Sequence, residues 1–242
     1  YSRDDQQITG PRPGCGGDGL MASLNFSALN WDEMIQATFD TLKMLGSSAI
    51  FTIILGLPLG IVLYLWGRSS QPVIRVIYSI LSFLVNILRS VPFIILMVAL
   101  IPFTKSIVGT SIGVLGTIPP LVVGAAPFFA RLVETALREV DRGVIEAAQG
   151  MGASTRQIVT RVLLPEASPG LISGVTITVV TLVAYTAMSG MVGGGGLGDL
   201  AICYGYYRYE KEVMIISVAL MVVLVQLLQM AGDRLVKHFS RK

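Results

Sequence analysis

The side chains that could do chemistry in this sequence are few, and the densest set lies in "EAAQGMGASTRQIVTRVLLP", residues 146–165. Glu146, Ala147 and Ala148 are followed after three residues by Gly152, and after nine more by Val162, Leu164 and Pro165. One carboxylate among alanines and glycines has no base, nucleophile or second acid beside it, so the spacing does not serve proton transfer or covalent catalysis. Ala147 and Ala148 leave a nearly flat helix face that another backbone can approach. Arg89, followed by Ser90, Val91 and Pro92, is a charge inside an apolar run, which in a membrane is by default a functional feature. Pro92 cannot donate to the carbonyl of Leu88, so Arg89 can satisfy that acceptor or meet a carboxylate or carbonyl of a neighbouring helix. As part of one continuous helix it sits roughly 21 Å from the outer end, counted back from Phe103 at about 1.5 Å per residue, and is expected to anchor the span and snorkel inward.

Other chemistry has little to stand on. His238 is the sole histidine, which argues against a metal centre built on His or Cys. "VGGGGLG" (192–198) is glycine-rich but has no lysine to reach a phosphate. The apolar runs contain no carboxylate or histidine of the kind that proton-coupled carriers use as a relay. A net charge of +3 gives no reason to expect a nucleic-acid partner.

The elements that must position these residues are long and apolar. Leu45 to Trp66, Ile107 to Ala130, Ala167 to Leu197 and Val213 to Gly232 carry no charge, and Val76 to Phe103 carries only Arg89. Charged residues make up 14% of the chain, against about 25% in a soluble domain, and mean hydropathy is +0.71. A bilayer-crossing helix needs about 20 apolar residues. The expected fold is therefore an all-α polytopic membrane protein with about five transmembrane helices. Barrel strands of about 10 alternating residues do not fit these runs. Arg68 and Arg75 mark one loop as basic, and so do Arg131 to Arg161 and the tail residues Arg234, Lys237, Arg241 and Lys242. Because cytoplasmic loops are rich in Lys and Arg, the expected orientation is N-out/C-in.

The expected organisation has residues 1–20 as an appended or extracytoplasmic extension, 21–41 as an N-terminal segment on the outer side, 42–236 as the transmembrane domain, and 237–242 as a cytoplasmic tail. Cys15 and Cys203 form no disulfide framework. Within the loop 142–165, Val144 to Gln149 predicts a helix that Gly150 and Gly152 end. Ser154 and Gln157 have capping-box spacing, Arg156 to Leu164 predicts a second helix, and Pro165 is expected to close it. The pairs Arg131–Glu134 and Glu134–Arg138 have same-face helical spacing and are expected to solvate the inner end of the third span. The 146–165 segment is a plain connector, a DNA-reading helix-turn-helix, or a knob for a cytoplasmic partner; a bilayer-tethered loop counts against the second.

The spacing E-A-A, three residues, G, nine residues, V-L-L-P resembles the signature loop of ABC-transporter permeases, with Val162 where Ile is usual. "NILRSVPFIIL" (86–96), "GTSIG" (109–113), "VGAAPFFARLVETAL" (123–137), "AYTAMSGMVGGGGLG" (184–198) and "YGYYRYE" (204–210) together resemble methionine-importer permeases. The resemblance covers nearly all of 42–241 and implies a type I ABC importer permease fold. It implies a non-enzymatic membrane subunit that works with a second copy of itself. Two ATP-binding-cassette subunits, which carry ATP and Mg, and a methionine-binding periplasmic protein or lipoprotein complete the implied assembly. It assigns Glu146, Ala147, Ala148, Gly152, Val162, Leu164 and Pro165 to ATPase coupling. Met188, among small neighbours, becomes a candidate gate with the second copy's Met188, since a flexible thioether closes a narrow path without rigid packing; Tyr185, one turn earlier, is a candidate for the same wall. Gly195, Gly196, Tyr206 and Tyr207 are candidate contacts for the binding protein, although interfacial tyrosines also form a membrane belt. An ion-gradient carrier, or the same architecture serving another small substrate, are the rival readings.

Overall fold

The computed structural model describes residues 31–240, and within them the regular structure is helical throughout. The extension 1–20 and residues 21–30 lie outside the described residues. In chain order the helices are α1 (Trp31–Gly67), α2 (Pro72–Ser90), α3 (Phe93–Ala99), α4 (Ile101–Val108), α5 (Gly113–Arg138), α6 (Arg142–Gly150), α7 (Thr155–Ile158), α8 (Leu164–Glu166), α9 (Ser168–Ser189), α10 (Gly196–Leu200) and α11 (Lys211–Phe239). Among the described residues, α1, α2, α5, α9 and α11 are long and apolar enough to cross a membrane, so the expected number of spans is met. At 37 residues α1 is about 55 Å long, well beyond the roughly 30 Å of bilayer hydrocarbon. Asp32 and Glu33 in its first turn complement the positive end of the helix dipole.

The second apolar run departs from expectation. Val76 to Phe103 is not one helix: α2 stops at Ser90, Val91 is extended with ψ 127°, and α3 restarts after Pro92. Proline forces its predecessor out of the helical region, which makes the break local and sequence-encoded. Arg89 therefore occupies the last turn of α2, and a distance counted along one continuous helix does not apply to it.

α5 is the centre of the bundle and meets α1, α2, α3, α4 and α9, while α11 packs outside α9. Its buried face carries Leu121, Ala125, Phe129, Ala130, Val133 and Leu137. α1 lies against it through Gly56 and Gly60. A Cβ on Gly60 would sit 2.6 Å from the Ala130 carbonyl oxygen, and one on Gly56 would sit 2.8 Å from Phe129 Cδ1. Small residues four apart let helix backbones approach where lipid offers no hydrophobic drive for packing. The outward apolar residues of α2 (Val73, Val76, Ile80, Phe83) and of α11 (Val218, Val222, Leu227) stay exposed, as a lipid-facing surface requires.

Glu134 corrects a second expectation. It is buried, not solvated, and its carboxylate accepts 2.6 Å hydrogen bonds from Arg131 and Arg138 and one of 3.3 Å from the Tyr78 hydroxyl. Arg131 donates onward to the Ser82 carbonyl and to Asn86 Oδ1, each at 3.1 Å. The same-helix pairs exist as spaced, but their partners on α2 make them a clamp between α2 and α5.

Candidate functional site

The 146–165 segment folds as two short helices around an exposed turn. Asp141 caps α6 by accepting from the Gly143 N–H at 2.6 Å. Gly152 takes φ +79° with nothing near its Cβ position, so the turn needs glycine for its backbone conformation and not for space. Ser154 and Gln157 form the expected capping box, with the Ser154 N–H donating to Gln157 Oε1 at 2.8 Å. Beyond it the helix does not close at Pro165. It widens into a π-helical turn, Val159–Leu163, and continues through α8. Proline has no N–H and clashes with the preceding turn; a π-bulge is one way a helix absorbs such an interruption.

Seating divides the family-matched residues into two sets. Ile145 and Ala148 are buried with Tyr64, Leu137, Ile158 and Leu163, so Ala148 faces the protein's own core and no partner backbone can reach it. Val162 and Leu164 are half-buried against the same cluster. Glu146, Ala147, Gly152 and Pro165 are exposed. Val144 and Met151, which the sequence pattern did not single out, are exposed at 44% and 83%. With Ala147 they recur at i, i+3 and i+7, an apolar stripe on the uncovered side of a helix whose other side is embedded. The sequence carries only the helical spacing of the two stripes; which one is buried is decided by the packing of Ile145 and Ala148 against Tyr64 and Leu137.

At the other candidate site, Tyr185 and Met188 lie one turn apart on α9. Met188 is 46% exposed and Tyr185 half-buried. Tyr185 stacks on Phe93 with ring centroids 4.2 Å apart and planes 2° from parallel. Both line a cavity of about 260 Å³ with Leu88, Arg89, Leu96, Gly124 and Phe128. Arg89, expected to anchor its span, shares a cavity wall with Tyr185, and its guanidinium lies 5.7 Å from the centroid of the Phe128 ring.

The glycine-rich segment turns through Gly193, Gly195 and Gly196, all at positive φ, and feeds α10. Gly196 is not a surface contact: it is buried, and a Cβ there would lie 2.6 Å from Thr41 Oγ1. The next residue, Leu197, donates its N–H to the same oxygen at 2.8 Å, tying α10 to α1. Gly195 is half-buried, while Tyr206 and Tyr207 are exposed.

A helical multi-pass membrane protein, with a half-embedded short helix at its arginine-rich end and an aromatic cavity among its spans, is the class this fold and these sites define. Residues 56–242 match the family of binding-protein-dependent transport system inner membrane components, and the chain belongs to that family. It is a multi-pass inner-membrane transport component and not an enzyme. The chain is 50% identical over 215 residues to a probable D-methionine transport system permease protein of Vibrio cholerae, covering 89% of this chain and 96% of that one. It is 42% identical over 217 residues to a methionine import system permease protein of Bacillus subtilis, covering 90% and 98%. Among solved structures, an inward-facing MetNI methionine ABC transporter aligns with a TM-score of 0.84 and 50% identity, over 87% of this chain and 98% of that one. The expected fold and the resemblance to methionine-importer permeases are both met.

Proposed function

We propose that this chain is the permease subunit of an ATP-driven importer that carries D- and L-methionine across the inner membrane. The observation that carries the coupling part is the uncovered Val144, Ala147 and Met151 stripe beside the Gly152 turn, on a helix whose far side is seated in the core. The methionine part is supported by the near-full-length similarity to methionine permeases. In this reading the arginine-rich end is cytoplasmic, giving N-out/C-in. Two copies pair, and each α6–α7 turn docks on one ATP-binding-cassette subunit, which holds the ATP and Mg. Glu146, Ala147, Gly152 and Pro165 lie at that interface, while Ala148, Val162 and Leu164 hold its scaffold in place.

Nucleotide binding draws the two docking turns together. Ile145 and Ala148 pack in one cluster with Tyr64 of α1 and Leu137 of α5, so displacement of α6 is passed to both spans. A ligand shifts such an equilibrium only through different contacts in its two states, and the exposed stripe is where this chain offers them. Met188 of each copy meets at the outer gate. A methionine-binding periplasmic protein or lipoprotein contacts Gly195, Tyr206 and Tyr207 and delivers the substrate.

Radiolabelled methionine uptake into liposomes holding this chain, its ATPase and its binding protein tests the reading. ATP-dependent uptake that excess methionine competes and histidine does not is the expected result. Uptake driven by an ion gradient without ATP would overturn the mechanism, and ATP hydrolysis without methionine uptake would overturn the substrate.

A further inference from the structure

Arg89 poses a question the coupling reading leaves open. Among the described residues its guanidinium has no carboxylate partner and donates no hydrogen bond; its neighbour is the face of Phe128. By contrast, Arg131 and Arg138 in α5 share the buried Glu134. An intramembrane arginine is retained at considerable expense in free energy and faces a cavity or a partner. Arg89 faces a cavity of about 260 Å³ lined by Phe93, Phe128 and Tyr185. A 150 Å³ apolar cavity accepts benzene, so this one suits a ligand of roughly nine or ten non-hydrogen atoms.

We propose that this cavity is a transport subsite in which Arg89 binds the carboxylate of an apolar amino acid while Phe93, Phe128 and Tyr185 enclose its side chain. The chemistry of each wall fits one part of such a ligand. A guanidinium presents a planar fork of donors that matches a carboxylate in two parallel hydrogen bonds. The carbonyl of Leu88, a lining residue, has no helical donor because residue 92 is proline, and it is free to accept from the ammonium group. Aromatic rings favour a thioether, whose sulfur sits well about 5 Å from a ring. The floor is Gly124, where a Cβ would already lie 3.3 Å from Phe93, so a larger residue would intrude on the space. The helix break at Val91–Pro92 places these groups together, in keeping with interrupted helices lining substrate paths in transporters.

The subsite rests on the reading of the chain as a methionine permease, and the test separates the two. The full complex in liposomes is supplied with a diazirine analogue of methionine, irradiated during ATP turnover, and the peptides of this chain are mapped by mass spectrometry. Labelling should fall within residues 88–96, 124–128 and 185. Arg89→Met, at wild-type expression and assembly with the ATPase, should reduce it at least tenfold. Arg89→Lys, which keeps the charge but not the fork, should retain a measurable part of it. Undiminished labelling in Arg89→Met, or labelling of other segments only, overturns the subsite while wild-type uptake upholds the permease. Absence of methionine uptake by the wild-type complex overturns both.

Discussion

Phe93 and Tyr185 lie face to face, 4.2 Å between ring centroids, and so join the short helix after the α2 break to the span that carries Met188. Phe93 is buried, and the pair fixes one wall of the cavity that Arg89 borders. Truncation of a buried Phe to Ala costs about 3–5 kcal/mol. Phe93→Ala should therefore lower the detergent-solubilised melting temperature clearly, whereas Tyr185→Phe, which keeps the ring, should leave it near wild type. Equal melting temperatures for all three proteins would remove the stack from the account of stability.

The approach of α1 to α5 depends on Gly60. Its missing side chain leaves the Ala130 carbonyl oxygen and Val133 Cβ 2.6 Å from where a Cβ would be, and both belong to a packed helix that cannot yield cheaply. Overpacking a core typically costs about 1–3 kcal/mol, so Gly60→Val should reduce thermal stability by at least that much. A Gly46→Ala control, where nothing lies within 4 Å, should be neutral. A stable Gly60→Val protein would show that the helices separate freely.

Gly152→Asp addresses coupling and leaves folding aside. Asp is among the few residues that tolerate a left-handed backbone, and no atom lies within 4 Å of the Cβ position. Membrane insertion and melting temperature should stay close to wild type, while methionine uptake and stimulated ATP hydrolysis fall more than tenfold. Normal uptake at normal expression would dissociate the turn from the ATPase.

Removing the charge of Glu134 strands the largely buried Arg131 in the α2–α5 clamp, while Arg138, its side chain 56% exposed, turns to solvent. Breaking a buried ion pair by deleting one partner costs about 3–5 kcal/mol, and Glu134 is buried to within 3%. Glu134→Gln should unfold at lower temperature, and a Glu134→Gln/Arg131→Gln double variant should recover part of the loss. Additive losses in the double variant would mean that Arg131 and Glu134 do not interact.

Cys203 offers a pH readout outside the spans. Its thiol lies 3.5 Å from Asp199 Oδ1; burial, then the Asp199 carboxylate, push its pKa up, and Arg208 opposes them only in part. A raised pKa means less thiolate at any given pH, and the thiolate is the reactive form. In a Cys15→Ser background, maleimide labelling should therefore begin at higher pH than for an ordinary exposed thiol. Asp199→Asn should move the profile back to lower pH; an unmoved profile would deny the carboxylate its influence.

Much of this molecule is legible in one dimension because its main constraints are local. Runs of about 20 uncharged residues define spans, since a bilayer leaves no other solution for the backbone. Ser154 and Gln157 cap a helix three residues apart, and Gly152 turns because only its own backbone has to. The arrest of α2 is also local, since Pro92 and its effect on Val91 are adjacent; treating the apolar run as unbroken is what concealed it. Sequence separation is what hid the rest. Whether Ala148 looks inward and Ala147 outward depends on Tyr64 and Leu137, far along the chain. Glu134 is a clamp and not a solvated charge because Tyr78, on another helix, donates to it, and Arg131 beside it reaches Ser82 and Asn86. Gly196 is denied to any partner by Thr41, 155 positions earlier. Arg89 borders a cavity because α3, α5 and α9 close around it. Composition and spacing set the solvent, the spans and the turn at Gly152; long-range packing chose which face of each element is buried, and with it which side chains remain free to meet a ligand.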